Sequence, residues 1–149
     1  MLSPSVVVVP IMRRYTWAQT KAFSGRLVRH LAHVAPTRFV AKSGPRNRVG
    51  KIYVDYLRNG QGATTAAAWT LRARAALPVS VPIGWDELAS VPSSGFWTLR
   101  TVSARLRDVG DAPWQCYGDA LGSLGEPARR LNIDLQNTRD TAETKGETV

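Results

Sequence analysis

The chain has 149 residues, a formal net charge of +9 and a hydrophobic fraction of 44%, which favours one globular domain with a core. The single cysteine, Cys116, excludes an internal disulfide and indicates a reducing compartment. With only His30 and His33 beside it, the sequence has no group of Cys and His residues at the spacing of a standard zinc site. The apolar stretch 5–12 is too short to span a bilayer, and its arginines follow it, unlike those of a secretory signal. We therefore expect a cytoplasmic protein with no membrane partner.

The charge is divided unevenly along the chain. Thirteen basic residues and one acid lie between the first residue and Arg74, whereas seven basic residues and ten acids follow it. The local balances are therefore +12 and −3. Such asymmetry predicts a polyanion-binding half joined to a supporting half. A solvated arginine-rich surface with no ligand is the alternative.

The first third of the chain predicts a strand and a helix. The β-branched run 6–11 is typical of a buried strand. Thr16 and Gln19 have the spacing of a capping box, so a helix is predicted to begin there and to end before Pro36. Its predicted buried stripe is formed by residues at helical spacing, namely Phe23, Leu27, Leu31 and Val34.

The middle of the chain predicts a hairpin. Residues 51–57 read as a strand, and Asn59-Gly60 supplies residues that accept positive φ in a tight turn. The stretch 63–71 is predicted to pair with this strand, and 79–83 to form a third strand at a sheet edge or strand end, because it contains Pro82.

The last part of the chain predicts helices over 84–88, 98–106 and 114–131. Three tryptophans with apolar neighbours are predicted core anchors rather than base-stacking platforms: Trp85, Trp97 and Trp114. We expect a domain of residues 1–131 and a polar, disordered tail over 132–149.

Asp55 is the candidate centre of a functional site. It is the single acid before Asp86, and neighbouring cations favour an ionised carboxylate, which could bind a divalent metal or form a salt bridge. The basic segment 38–50, punctuated by glycine and proline, leads into its strand. Because arginine binds phosphate through two donors at once, this segment is a candidate phosphate-binding loop, although it lacks the Lys-Ser/Thr pair of a Walker loop.

Residues 38–60 closely resemble the polymerase domain of bacterial DNA ligase D, within the archaeo-eukaryotic primase superfamily. Shorter matches lie at 62–65, 72–74, 78–88 and 97–101, and the likeness extends from about residue 6 to about residue 131. The resemblance implies an α+β fold that is partial for this superfamily, with a mixed or antiparallel sheet and packed helices. It also implies a DNA-directed nucleotidyltransferase of non-homologous end joining, which adds nucleotides, preferentially ribonucleotides, at broken DNA ends.

The resemblance further implies two divalent ions, Mg²⁺ or Mn²⁺, held by three aspartates. Asp55 matches the third aspartate, which makes it the implied catalytic and metal-binding residue. Arg48 matches an arginine needed for substrate handling, and Arg72 matches one that contacts the incoming nucleoside triphosphate. The candidate DNA or phosphate contacts beside them are Lys42, Arg46, Arg58 and Arg74.

The sequence also departs from this family. Its Asp-x-Asp metal pair has no counterpart, and Ser3, Pro4 and Val6 stand where a lysine, a glycine and a histidine would grip the nucleotide. We therefore expect the carboxy-terminal half of a polymerase domain, inactive alone because one carboxylate cannot hold two Mg²⁺ ions. Two alternatives stay open: half of a split enzyme completed by a separate amino-terminal chain, and a non-enzymatic, basic nucleic-acid-binding protein. Ligase or Ku components are further expected partners.

Overall fold

The computed structural model describes residues 5–110, 112–136 and 138, so Ser3, Pro4 and most of the predicted tail lie outside the described residues. Within these residues, the helices and strands are α1 (Trp17–Val34), β1 (Phe39–Val40), β2 (Ile52–Tyr53), α2 (Val102–Val109) and α3 (Gly125–Arg130). The intervening 3₁₀ segments are Pro45–Arg48, Leu57–Asn59 and Ala112–Trp114. Helices combined with a small sheet agree with the predicted α+β class. No helix in the described ranges has the length and apolar character needed to cross a membrane.

The chain divides into two compact units. The first combines Met1–Pro10 with Thr65–Leu121 and contains α2, and the second combines Ile11–Thr64 with Gly122–Val149 and contains α1, α3 and the sheet. The predicted boundary of a single domain at residue 131 stays a prediction.

Helix α1 begins where its sequence predicts. The hydroxyl of Thr16 accepts the backbone N–H of Gln19 at 3.2 Å, and the side-chain oxygen of Gln19 accepts the backbone N–H of Thr16 at 2.8 Å. This capping box satisfies two donors that a helix start leaves without a partner. The predicted buried stripe is only partly right, since Leu27 and Val34 are exposed whereas Val28 is 4% exposed.

The buried face of α1 is set by a close approach to Tyr56. A Cβ atom at Gly25 would lie 2.8 Å from Cε2 of the Tyr56 ring, well inside van der Waals contact. The guanidinium carbon of Arg29, one helical turn further on, lies 5.9 Å from the centroid of the same ring, which is within cation–π range. Glycine at this position therefore lets the chain that follows β2 lie directly on the helix.

The small sheet is parallel, and the predicted antiparallel hairpin is wrong. Phe39 lies opposite Ile52, and Val40 lies opposite Tyr53. The hydrogen bonds of 51–57 are thus made with the preceding segment of the chain, so 63–71 does not pair with it. The expected hairpin turn is absent as well, because Gly60 has a φ of −102° and follows the 3₁₀ segment Leu57–Asn59.

The strands predicted at 6–11, 63–71 and 79–83 are reduced to isolated bridges in the described residues. Ile11 pairs with Gly122, and Leu71 pairs with Val79, which is 6% exposed. The side chains of Val6 to Val9 are 55–66% exposed. A strand needs a hydrogen-bonded neighbour along its length, and in the described part of the chain 6–9 has none.

The predicted carboxy-terminal helices are shorter than their patterns suggest. Helix α2 begins four residues later than the predicted 98–106, and α3 covers only the end of 114–131, whose earlier part contains helix-breaking glycines. Within the predicted helix 84–88, residues 85–88 form turns. Trp85 is 78% exposed, which contradicts its role as a core anchor, whereas Trp97 and Trp114 are half-buried.

Helix α3 and the residues that follow it are tied to α1 by side-chain hydrogen bonds. Arg26 donates to the carbonyl of Leu131 at 3.2 Å, and Gln19 donates to the carbonyl of Leu135 at 2.7 Å. The chain before α1 is held to the same region, since the Tyr15 hydroxyl accepts the backbone N–H of Leu124 at 2.9 Å. These bonds hold 124–135 against residues 15–26.

The first unit contains a bidentate ion pair between Arg105 and Glu87, with N···O distances of 2.6 and 2.8 Å. Glu87 also accepts the backbone N–H of Gly84 at 2.8 Å, and the Arg105 guanidinium lies 5.2 Å from the Trp97 ring. Hydrogen bonds from Arg105, and then from Gly84, lower the pKa of the Glu87 carboxyl. The pair therefore joins α2 to the turn at 84–87.

Replacing Gly25 by alanine is expected to destabilise the second unit. Alanine favours a helix over glycine by about 1 kcal/mol, but overlap with the Tyr56 ring costs about 1–3 kcal/mol, so the melting temperature should fall. Thermal unfolding followed by circular dichroism measures this. Gly118→Ala is the control, because a Cβ there meets no atom within 4 Å. A Gly25→Ala variant more stable than the wild type would contradict the close approach.

Replacing Glu87 by glutamine is expected to lower the free energy of unfolding by about 1–2 kcal/mol near pH 7. Because folding lowers the carboxyl pKa, the pair stabilises the protein above the ordinary value of 4.5, and this stability is lost as the pH falls below it. Urea unfolding at about pH 7 and about pH 3 should thus show a smaller difference between wild type and variant at the lower pH. Asp119→Asn, an exposed carboxylate of the same unit, is the control, and an equal difference at both pH values would contradict the assignment.

Candidate functional site

Asp55 lies directly after β2, where the chain turns into Leu57–Asn59. One of its oxygens accepts the backbone N–H of Leu57 at 3.0 Å, an Asx-type bond that fixes the turn. The other oxygen accepts Nε of Arg58 at 3.2 Å in an ion pair. Of the two roles predicted for this carboxylate, the structure contains the salt bridge.

The same bonds bear on metal binding. Both oxygens of Asp55 accept hydrogen bonds from the chain itself, one of them from a cation. In the described ranges there is no group of three or more His, Cys, Asp or Glu residues that could hold a metal ion. Two divalent ions need more than one carboxylate. The donors present therefore do not by themselves fit the two-metal site that the resemblance implies.

Arg48 is positioned over β2 by the loop that joins the two strands. Asn47 donates to the carbonyl of Ser43 at 2.7 Å, which closes the loop, and the Arg48 guanidinium carbon lies 4.7 Å from the centroid of the Tyr53 ring. The Tyr53 hydroxyl lies 3.5 Å from an oxygen of Asp55. The ring therefore links Arg48 to Asp55, two residues that the sequence placed in one site.

A cleft of about 360 Å³ lies beside this ring. Its lining residues are Arg29, Ala41, Lys42, Ser43, Tyr53, Tyr56 and Leu57. The cations come from two elements, Arg29 from α1 and Lys42 from the loop after β1. Sequence reasoning proposed Lys42 but missed Arg29 and both tyrosines. The sequence places Arg29 on a basic face of the predicted helix. Its position next to the loop after β1 depends on the packing of Tyr56 against Gly25, which the sequence pattern does not reveal.

The remaining predicted site residues lie in different surroundings. Arg46 is exposed within Pro45–Arg48. Arg58 is engaged in the Asp55 ion pair and also donates to the carbonyl of Thr64 at 2.5 Å. Arg72 is half-buried and Arg74 is exposed, and both belong to the first unit, so their membership of the same site as Asp55 stays a prediction.

Comparison with known proteins gives consistent matches. The family model described as "LigD, primase-polymerase domain" matches residues 6–114. The multifunctional non-homologous end joining protein LigD of Pseudomonas aeruginosa is 47% identical over 125 residues, which cover 83% of this chain and 15% of that protein. The bifunctional non-homologous end joining protein LigD of Bacillus subtilis is 26% identical over 96 residues, or 64% of this chain and 16% of that protein. The chain thus spans about 15% of the length of these relatives.

Proposed function

Because the chain belongs to the LigD primase-polymerase domain family, we propose that it works as part of a DNA repair polymerase of non-homologous end joining. There it helps to add nucleotides, preferentially ribonucleotides, to broken DNA ends. The observation that carries the proposal is the family match over residues 6–114, which includes Arg48, Asp55 and Arg72. In nucleotidyl transfer, a 3′ hydroxyl attacks the α-phosphate of a nucleoside triphosphate and pyrophosphate leaves. The protein's part is to position these groups and to stabilise the charge on the phosphates.

Arg48 and Arg72 are proposed to bind the incoming triphosphate. The cation–π contact between Arg48 and Tyr53 supports this role, because it holds the guanidinium in place beside β2, and an arginine can bind two phosphate oxygens through its N–H donors. Residues 11–64 contain eleven cations and one acid, a charge imbalance that attracts phosphate. The candidate DNA or phosphate contacts of this region and of the first unit remain Lys42, Arg46, Arg58 and Arg74.

Asp55 is proposed as one carboxylate of the catalytic centre. The LigD polymerase domain family is generally metal-dependent, with Mg²⁺ or Mn²⁺ as the proposed ions, but the donors in the described residues are insufficient for two ions. The Arg58 side chain, which pairs with one oxygen of Asp55, would compete with a metal ion for that carboxylate. The chain by itself is therefore proposed to bind DNA ends and nucleoside triphosphate without catalysing transfer.

The purified chain is expected to add no nucleotide to a recessed primer in the presence of Mn²⁺ and ribonucleotides. The physical reason is that one carboxylate, already paired with a cation, cannot hold the two ions that transfer requires. Gel-based primer extension measures this. Robust template-dependent addition by the pure chain, lost in Asp55→Asn, would overturn the proposed inactivity and leave the polymerase assignment in place.

Arg48→Gln and Arg72→Gln are each expected to weaken the binding of a fluorescent ATP analogue roughly tenfold or more, because each removes charge-assisted hydrogen bonds to phosphate. Arg100→Gln, which removes an exposed cation of the first unit, is the control and should bind as the wild type does. Fluorescence titration gives the dissociation constants. Wild-type affinity in both arginine variants would show that the triphosphate roles are wrong.

A second candidate is half of a split polymerase completed by another polypeptide. The exposure of the β-branched residues at 6–9 favours this candidate, because an exposed apolar segment without a strand neighbour in the described residues is suited to pairing with a strand from outside. The discriminating observation is the DNA upstream of the gene. If no reading frame there encodes an Asp-x-Asp strand, this candidate is excluded.

A further inference from the structure

The cleft beside Tyr53 contains two cations that the proposed triphosphate site does not use. Arg29 and Lys42 both line it, both are exposed, and neither forms an ion pair within the described residues. The nearby carboxylate of Asp55 already forms an ion pair with Arg58, so it does not neutralise them. The lining of the cleft therefore carries two positive charges that are free to bind an anion.

Besides the two cations, the cleft presents aromatic and hydroxyl groups. The rings of Tyr53 and Tyr56 both line it, and each of them also lies beneath an arginine. Ser43 contributes a hydroxyl group to the same lining. Cations beside aromatic rings are the combination by which proteins bind the backbone and the bases of single-stranded nucleic acids. The volume of about 360 Å³ is within the range of sites for small ligands.

We propose that this cleft binds a phosphorylated nucleotide unit within a single-stranded segment of nucleic acid. Arg29 and Lys42 bind the phosphate, and the nucleotide contacts the parts of the two tyrosines that line the cleft. The inference rests on the proposed function for the class of ligand, and it adds Arg29 and the two tyrosines to Lys42, which is already proposed as a DNA or phosphate contact. A free nucleotide offers the same phosphate chemistry, so the experiment must distinguish it from a strand.

The test is fluorescence anisotropy with a labelled oligothymidylate of about twelve nucleotides, measured over a range of salt concentrations. The double variant Arg29→Gln with Lys42→Gln should weaken binding about tenfold. It should also reduce the slope of log affinity against log salt by about 1.4, since each phosphate contact on a single strand contributes about 0.7. The control double variant, Arg13→Gln with Arg129→Gln, removes the same charge outside the cleft and should change affinity by less than about twofold.

The variants must remain folded, which melting temperature checks. Arg29 contacts Tyr56, so its replacement could loosen α1, whereas Lys42 is exposed in a loop and its replacement leaves that packing intact. The single variant Lys42→Gln should therefore reduce the salt slope by about 0.7 at an unchanged melting temperature. Equal losses in the cleft variant and in the control would overturn the proposal, because they would show that only the total charge matters.

Two further measurements identify the source of the phosphate. If a duplex of the same length bound more tightly and was equally sensitive to the cleft variants, the assignment to a single strand would be overturned. If the cleft variants lost affinity for free ATP but not for the oligonucleotide, the site would belong to a free nucleotide, which also overturns the assignment to a single strand.

The cleft proposal and the triphosphate roles can fail separately. Should the cleft variants bind the strand like the wild type while Arg48→Gln and Arg72→Gln lose affinity for triphosphate, the cleft proposal alone would fail. If instead the cleft variants lose affinity for the strand while Arg48→Gln and Arg72→Gln bind triphosphate like the wild type, only the proposed triphosphate roles would fail.

Discussion

The packing of Tyr56 against Gly25 is the contact on which the second unit depends. A helix residue without a side chain lets the ring lie directly on α1, and this fixes the chain after β2 relative to the helix. The consequence is geometric, because Arg29 is then held next to Tyr56 and beside the loop that contains Lys42. The cleft is formed by this packing, and no single segment of the sequence contains it.

The electrostatics of the site follow from the scarcity of acids. Residues 11–64 contain one carboxylate and eleven cations. This carboxylate, Asp55, forms an ion pair with Arg58, so its negative charge is compensated by a neighbouring residue. The other cations of this stretch form no ion pair within the described residues, so their charge is left to interact with ligands or solvent. This distribution is suited to binding polyphosphate and nucleic acid, whereas a metal centre would require further carboxylates. Binding and catalysis thus make different demands on the same chain, and the described residues meet those of binding more fully.

Local patterns predicted local features of this structure well. The capping box at Thr16 gave the start of α1 within one residue, because its hydrogen bonds join residues three apart. The hairpin prediction at 51–71 was wrong. Alternating apolar and polar residues and a turn-like Asn59-Gly60 do not determine which segment of the chain a strand pairs with. Arg48 and Asp55 were placed in one site through the family resemblance, and the Tyr53 ring that links them was not anticipated.

The sequence by itself determined the family, the basic character of the amino-terminal half, the first helix and the identity of the lone carboxylate. These depend on residue type and short-range spacing, which the chain carries without folding. Only the tertiary structure decided the parallel pairing of β1 with β2, the ion pair that occupies Asp55, and the meeting of Arg29 with Lys42. Each of these is a contact between elements, and which elements meet is decided by competition for packing and hydrogen-bond partners across the whole unit.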